Sequence, residues 1–454
     1  MSLLPSLSFE LIRGTLKLSP LAFGLTLFSL LIPILVLVAW ELQQRRYEAI
    51  SPAGCRKLGL RMRSNLADQY STKYSTRSEQ GTAKDGSPLW RVKALFIYPI
   101  KSCCGVELGR GDIIRTGMKY DRQFSFAQEV TSLPSLEEQA DGSHSVNSEW
   151  NSITQRTFPR LAKVETEIWV PDPTSPTFSP NAKFVKSEGC VVVRFPFSPD
   201  VDFSWEGLRA FVTILAAKIS QRAEPTIQFC IPFNPTLERI TQKKYRSEKM
   251  KIWTDMPEAL NMGVEIPDDI KAKLKYCLGV SNPLTLFRID TRKYREVFKC
   301  APKKEEVGFQ PIIGMADSYP LHIVNLASVR DVASRLPKGY YKEFNALRYR
   351  ANIYITGPPA FSEDSWAKIR IGKCTYHTSC RTIRCKLPNV DPATGIRDRN
   401  EPETTMRKYR VIDGGSIKPC LGMQVTPLVK EQGEIKVGDE VEVLAHGEHF
   451  FLKI

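Results

Sequence analysis

The sequence predicts a mainly β fold of the α+β class: two barrel-like β domains preceded by one N-terminal transmembrane helix. Three observations carry this. An uncharged run, LSPLAFGLTLFSLLIPILVLVAW, extends from Leu18 to Trp40. From Trp90 onward the chain breaks into short β-type runs separated by Gly, Pro and Asp. Helical periodicity is confined to three stretches of the body. At 454 residues the chain also exceeds one ordinary core, so two folded domains are expected.

The apolar run comes first. About 20 apolar residues rising ~1.5 Å each span a ~30 Å hydrocarbon core. Pro33 is tolerable inside a membrane helix, and Trp40 stands where an interfacial aromatic belongs. A cleaved signal peptide would carry a shorter apolar core ending in small residues. Here the run ends in Trp-Glu-Leu-Gln-Gln-Arg-Arg. Residues 1–46 are therefore read as a membrane anchor. Arg13 and Lys17 precede the run, whereas Arg45, Arg46, Arg56 and Lys57 follow it. That asymmetry places the body in the cytosol. Residues 47–87, rich in Ser, Thr, Gln, Lys and Arg, read as a flexible linker.

In the body, strands are expected at 92–100, 190–197, 226–233, 351–356, 367–372, 441–445 and 449–454. Helices are expected at 204–222, 268–278 and 321–336. A tight turn in Ile435–Val443 is read as joining two strands of a small barrel. The segment 198–250 reads as an elaboration of the first domain.

Composition narrows the function. The net charge of +15 suits an acidic partner protein, an anionic ligand or an anionic membrane surface. No zinc-finger spacing, RNP-type motif or basic heptad region supports nucleic-acid binding. The 11 cysteines are odd in number and contain no Cys-x-x-Cys pair, so the thiols are read as reduced. The 5 histidines include no His-Glu-x-x-His pair. Phosphate-loop and dinucleotide-binding glycine motifs are absent too.

Three stretches could carry chemistry. In YPIKSCCGVEL, from Tyr98 to Leu108, Lys101 and Ser102 follow a strand end, a reasonable grip for a phosphate or oxyanion. Arg122 then follows Asp121, and Thr154, Arg156 and Arg160 lie in ITQRTFPRL. In ALRYRANIYITG, Arg350 offers a planar fork for an anion, and Asn352 offers both donor and acceptor. In IRCKLPNVDPATG, Cys385 stands between Arg384 and Lys386, cations that favour thiolate. The Asp391–Gly395 turn is read as folding back over it. Taken singly, Lys101 reads more readily as a solvated loop lysine and each arginine as a surface one. Arg350 and Asn352 equally suit the start of an ordinary strand, and Cys385 suits inert packing.

Together and in this order, IYPIKSCCGV, YDR, T-x-R-x-x-PRL, RYRANI, C-x4-VDP-x-TG and KVGDEV resemble the MOSC-domain proteins, above all the mitochondrial amidoxime-reducing components. The resemblance runs from about residue 90 to 450. It implies a MOSC N-terminal β-barrel domain over 88–310, with the insertion at 198–250, and a MOSC β-barrel domain over 311–454. It implies a molybdenum–molybdopterin cofactor with the Cys385 thiolate on the metal, and Cys385 as the catalytic residue. Lys101, Ser102, Arg122, Arg156, Arg350, Asn352 and Arg384 would contact phosphate and pterin. It further implies reduction of N-hydroxylated compounds. Because the chain has no flavin, haem or iron–sulfur motif, electrons would come from an external donor, cytochrome b5 with its reductase in the family. The anchor would sit in the outer mitochondrial membrane, with the endoplasmic reticulum as the other cytosol-facing choice. Gln424, Ile383 and a short loop from Tyr409 to Cys420 depart from the family pattern at the expected substrate mouth. Two other functions remain open: sulfur transfer, although the chain lacks the pyridoxal-phosphate domain of cofactor sulfurases, and a non-catalytic membrane-tethered adaptor.

Overall fold

The computed structural model describes Ser19, Ala22, Gly24–Ala39 apart from Leu27, Leu30 and Ile34, and residues 52–75, 90–132, 147–340 and 343–452. It divides into two units: Met1–Ser51 with Pro196–Ile227, and Pro52–Phe195 with Gln228–Ile454.

The larger unit is mainly β. Its eight-stranded sheet runs, from edge to edge, Val441–His446, Trp366–Ile371, Cys374–Ile383, Cys420–Pro427, Leu321–Asn325, Ile353–Thr356, Arg91–Ile97 and Val106–Leu108. A separate closed barrel is formed by Phe124–Ser132, Asn147–Ser152, Arg246–Lys251, Glu258–Asn261 and Leu284–Ile289. Closing the barrel leaves it no edge strand. Sheet strands such as Arg91–Ile97 and Ile353–Thr356 are the β-branched and aromatic runs expected from the sequence, whereas the barrel strands Asn147–Ser152, Arg246–Lys251 and Glu258–Asn261 are largely polar, and none of the five barrel strands is among those expected.

The strand Arg91–Ile97 crosses the expected domain boundary at 310/311. It pairs with Ile353–Thr356, placing Leu95 opposite Ile353. Its side chains are buried on both faces from Ala94 to Ile97, so it needs a sheet interior, which the C-terminal sheet supplies.

Three further expectations are corrected. The first concerns the linker at 47–87. Its described part, 52–75, is folded: Cys55–Lys57 pairs with the strand Glu165–Pro171. Leu66 and Tyr74 are buried in the same core cluster as Phe96, Val329, Tyr349 and Tyr354. The Gln69 side chain accepts a hydrogen bond from the Ala346 backbone N–H at 2.6 Å. Two apolar anchors within a polar segment suffice to dock it. The second concerns 321–336, which reads as one helix but is a fully buried strand, Leu321–Asn325, followed by the helix Leu326–Arg335. Asn325 ends the strand and caps the helix, its side chain accepting from Ala327 N at 3.1 Å. Third, residues 449–452 are not a strand, although Phe451 packs on the core. The turn near Gly438 stands between two strands, as expected, but they do not pair with each other. Gly433–Lys436 pairs with Arg110–Ile114, whereas Val441–His446 pairs with Trp366–Ile371.

The elaboration expected at 198–250 is shorter as a separate body. Pro196–Ile227 belongs to the smaller unit, whereas Arg246–Lys251 is a barrel strand. The smaller unit contains the helix Trp205–Ile219, capped by Ser204, whose hydroxyl accepts from Gly207 N at 3.0 Å. The described residues of the 18–40 run between Ala22 and Ala39 are helical. Among the described residues no helix is long and apolar enough to cross a membrane; the remainder of the expected anchor lies outside them.

Candidate active site

A cavity of about 210 Å³ opens in the larger unit, lined from both the sheet and the loops beside the barrel. It collects seven of the residues singled out in the sequence: Lys101, Ser102, Arg122, Arg350, Asn352, Arg384 and Cys385. Ile383 and Gln424, the departures expected at the substrate mouth, line it as well.

Its cationic side is built around Tyr98, the residue just after the strand Arg91–Ile97. The Arg122 and Arg350 guanidinium groups lie over the Tyr98 ring at 5.0 and 4.2 Å. Arg122 is fixed on three sides: it donates to the Asp121 carboxylate, to Asn352 Oδ1 at 3.0 Å and to the Arg350 carbonyl at 3.3 Å. Arg350 is not. Its Nη2 is buried and has no hydrogen-bond partner among the described residues. Burial pushes this guanidinium down from its ordinary value, the nearby Tyr98 opposing. A buried donor of this kind is expensive unless an acceptor arrives.

The backbone shows the same concentration. Ser102, Arg122 and Arg350 all adopt left-handed conformations, with φ of 66°, 44° and 51°. Three non-glycine residues held in this region around one cavity mark a functional site more than a packing solution.

Asn352 and Arg384 hold the wall together. Asn352 is fully buried. Its Oδ1 accepts from Arg122 and from His322 N, and its Nδ2 donates to the Phe96 carbonyl at 3.1 Å. Arg384 donates to the Leu421 carbonyl at 3.0 Å, the Tyr349 carbonyl at 3.4 Å and His322 Nε2 at 2.7 Å. His322 is a site residue that sequence reasoning missed. Burial, then Arg384 and Arg122, hold it well below the usual imidazole range, so it is the neutral acceptor for Arg384.

Asp317 was missed as well. It pairs with buried Lys101 and accepts from Trp253 Nε1 at 2.9 Å. Asp317 itself is exposed, and the Lys101 ammonium beside it holds its carboxylate well below the usual range. No sequence signal links residues 101, 253 and 317; only the fold brings them together.

Arg156 does not line the cavity. Its guanidinium stacks on Trp253 at 4.0 Å, and its carbonyl accepts from Arg397 at 2.6 Å. It therefore reaches the cavity only through the Trp253–Asp317–Lys101 chain. The Asp391–Gly395 turn also lies outside the lining. Asp391 Oδ1 accepts from the Ala393 and Thr394 N–H groups at 2.9 and 3.0 Å, and Oδ2 accepts from Arg348 at 2.5 Å. Arg348 in turn donates to the Pro388 and Asn389 carbonyls, both at 3.3 Å. The turn thus clamps the loop that carries Cys385 instead of covering the sulfur.

Cys385 is a free, half-buried cysteine on the cavity wall. Lys386 is exposed, whereas Arg384 is buried and makes its hydrogen bonds to the Leu421 and Tyr349 carbonyls and His322. Among the described residues no group of three or more His, Cys, Asp or Glu side chains could hold a metal ion. A partly exposed cysteine sulfur in an arginine-rich cavity fits a metal that brings most of its ligands on an anionic carrier.

An open sheet and a closed barrel, with Cys385 and clustered cations on a shared cavity, define a two-module protein of the MOSC type. Residues 310–442 match the family profile described as MOSC domain, and residues 89–179 match the MOSC N-terminal beta barrel domain. The chain is 32% identical over 360 residues to mitochondrial amidoxime-reducing component 1 of Mus musculus, covering 78% of this chain and 82% of that one. The Homo sapiens protein of the same name is 36% identical over 137 residues, which is 29% of this chain and 39% of that one. The alignment with amidoxime reducing component 2 of Rattus norvegicus likewise spans 38% of that protein. Molybdenum cofactor sulfurase of Arabidopsis thaliana is 22% identical over 378 residues, 80% of this chain but 36% of that one. The chain belongs to the family of MOSC-domain proteins that includes the amidoxime-reducing components.

Proposed function

We propose that the chain is a membrane-anchored molybdenum-cofactor enzyme that reduces N-hydroxylated compounds with electrons from an external, acidic donor of the cytochrome b5 type. The carrying observation is the pairing, in one cavity, of free Cys385 with Arg350, whose buried Nη2 has no hydrogen-bond partner among the described residues. A soft thiolate and an unfilled anion fork are what an anionic, sulfur-ligated metal cofactor requires.

In this reading Cys385 supplies the protein's ligand to molybdenum, and Arg350, Ser102 and Lys101 meet the anionic part of the cofactor. Arg122 is fixed by Asp121 and Asn352 and sets the position of Arg350 through its carbonyl. Arg384 is steadied by neutral His322 and holds the strand that leads into Cys385. When bound, the cofactor supplies a two-electron reducing centre able to take oxygen from an N–O bond. Gln424 and Ile383 would border the substrate, and the apolar run 18–40 would tether the body to the outer mitochondrial membrane.

The test is molybdenum and oxidised-pterin content per chain, from a host that makes molybdopterin. Wild type is expected to hold near one of each. Cys385→Ser is expected to lose the metal and activity with an unchanged unfolding transition; full metal in this variant overturns the role of Cys385. Arg350→Ala is expected to weaken cofactor retention by about 1.5–3 kcal/mol, as loss of a charge-assisted contact does. Unchanged occupancy removes that role. Neither metal nor pterin in a well-folded wild type would favour sulfur transfer or an adaptor.

A further inference from the structure

The smaller unit carries an apolar surface that the proposed function leaves unused. In the helix Trp205–Ile219, residues Trp205, Leu208, Val212, Leu215 and Ile219 recur at alternating steps of three and four, forming one stripe. Its middle is covered: Val212 and Ala216 are buried against Val38, with Leu37 and Leu215 packed beside them. Its ends are not. Trp205 is 63% exposed, and Leu208 and Ile219 are exposed as well. Phe203, just before the Ser204 cap, and Phe211 add two exposed aromatic rings. Isolated apolar side chains at a surface are ordinary, but this many within 17 residues of chain form a patch that calls for a partner.

The position of the covered part identifies that partner. Leu37 and Val38 lie at the end of the apolar run 18–40 nearest the charged residues Arg45 and Arg46. If 18–40 spans the bilayer, that end lies at the membrane–water boundary. The helix touches the anchor there, so its exposed Trp and Phe side chains stand at headgroup depth, where amphipathic rings are most stable. Arg209 lies over the Trp205 ring at 5.7 Å, giving the aromatic end a cationic group for lipid phosphate. The segment also falls between the two family matches, which end at 179 and resume at 310.

We propose that the helix Trp205–Ile219 and the preceding Phe203 form a second, interfacial membrane contact beside the anchor, with a lipid bilayer as the partner. This rests on the anchor reading made above.

The experiment uses the full chain in phosphatidylcholine–phosphatidylserine vesicles, with and without a lipid carrying a nitroxide just below the headgroup. Trp205 emission is obtained by subtracting the spectrum of Trp205→Phe, which leaves the other tryptophans in place. The expected result is strong nitroxide quenching of Trp205, a blue-shifted maximum and several-fold weaker quenching by acrylamide than in detergent-free monomeric controls of free tryptophan. Amide exchange over 201–219 should slow when vesicles are added. A chain that floats with vesicles while Trp205 is quenched only by acrylamide overturns this inference and leaves the anchor standing. A Trp205 shielded from both quenchers means that protein, such as a second copy of this chain, covers the stripe, and the inference fails. A chain that does not float with vesicles overturns the anchor and this contact together.

Discussion

At the scale of single residues, the cavity is held by groups whose chemistry is ordinary and whose backbone is not. Gly422 shows how little room remains. It has φ of +75°, and a Cβ there would meet the Ile323 carbonyl oxygen at 2.5 Å and His322 Nε2 at 2.6 Å. The left-handed conformation alone costs an L-residue roughly 1–2 kcal/mol, and the contacts add to that. Gly422→Ala is therefore expected to lower stability by about 2 kcal/mol or more and to displace His322 from Arg384. Chemical denaturation reads the first effect, and cofactor retention reads the second. A variant of wild-type stability would show that the strand Cys420–Pro427 yields more readily than its packing implies. The sequence exposed this level unevenly. Lys101, Ser102, Arg122, Arg350, Asn352, Arg384 and Cys385 were visible because each sits in a short motif. His322 and Asp317 were not, because a histidine in an apolar run and an aspartate before a serine look like any others. Arg156 misled for the opposite reason: the motif around it is used through its backbone, and its side chain turns to Trp253.

At the scale of elements, the junction of the strand Leu321–Asn325 with its helix stores a titratable group. Glu363 is fully buried, accepts from the Ser328 hydroxyl at 2.6 Å and from Asn325 Nδ2 at 3.4 Å, and is pushed up to about 7 by burial and then by neighbouring Asp364. Its ordinary value is 4.5. Between those values the folded chain holds a proton that the unfolded chain has released. This contribution to stability is therefore complete below pH ~4.5 and is lost as pH rises towards ~7. One proton over that window amounts to at most about 3 kcal/mol. Glu363→Gln should abolish that slope and be the more stable protein at pH 8, as read by urea unfolding at pH 5 and 8. Buried His322 and half-buried His377 and His449 are all shifted down and titrate in the opposite sense, so only the difference between wild type and variant reports on Glu363. Equal slopes in the two proteins would mean that Glu363 is ionised in the fold. The same junction shows where pattern reading fails. LHIVNLASVRDVASRL has helical spacing throughout, but five residues buried on every side can also be an interior strand, and Asn325 marks the change. Segment 52–75 failed differently: its polar composition hid Leu66 and Tyr74, and composition averages over a segment whereas docking needs only two side chains.

At the scale of the whole molecule, charge bears on how the enzyme proposed above would be supplied with electrons. The chain carries 64 Lys and Arg against 49 Asp and Glu, a net +15, and no redox motif other than the candidate cofactor site. An acidic one-electron donor would then be drawn to it by the summed field, which raises encounter rates about 10- to 1,000-fold where charges are complementary. Such steering acts over roughly the Debye length, ~8 Å at physiological salt and ~3 Å at 1 M. The two-module order of the body was legible in the sequence, from IYPIKSCCGV to KVGDEV. The sharing of one sheet across the boundary was not, since the partner of the strand Arg91–Ile97 lies some 260 residues away, at Ile353–Thr356. That shared sheet makes barrel and sheet one body, so a donor need dock only once to serve the cavity. Raising salt from ~0.02 to ~0.5 M should accordingly slow reduction by an acidic donor about tenfold or more, while a small neutral reductant is affected little. Stopped-flow reduction of the cofactor-loaded chain at several salt concentrations measures this. A rate indifferent to salt would mean that donor recognition rests on apolar contact, and that the excess positive charge serves the membrane surface instead.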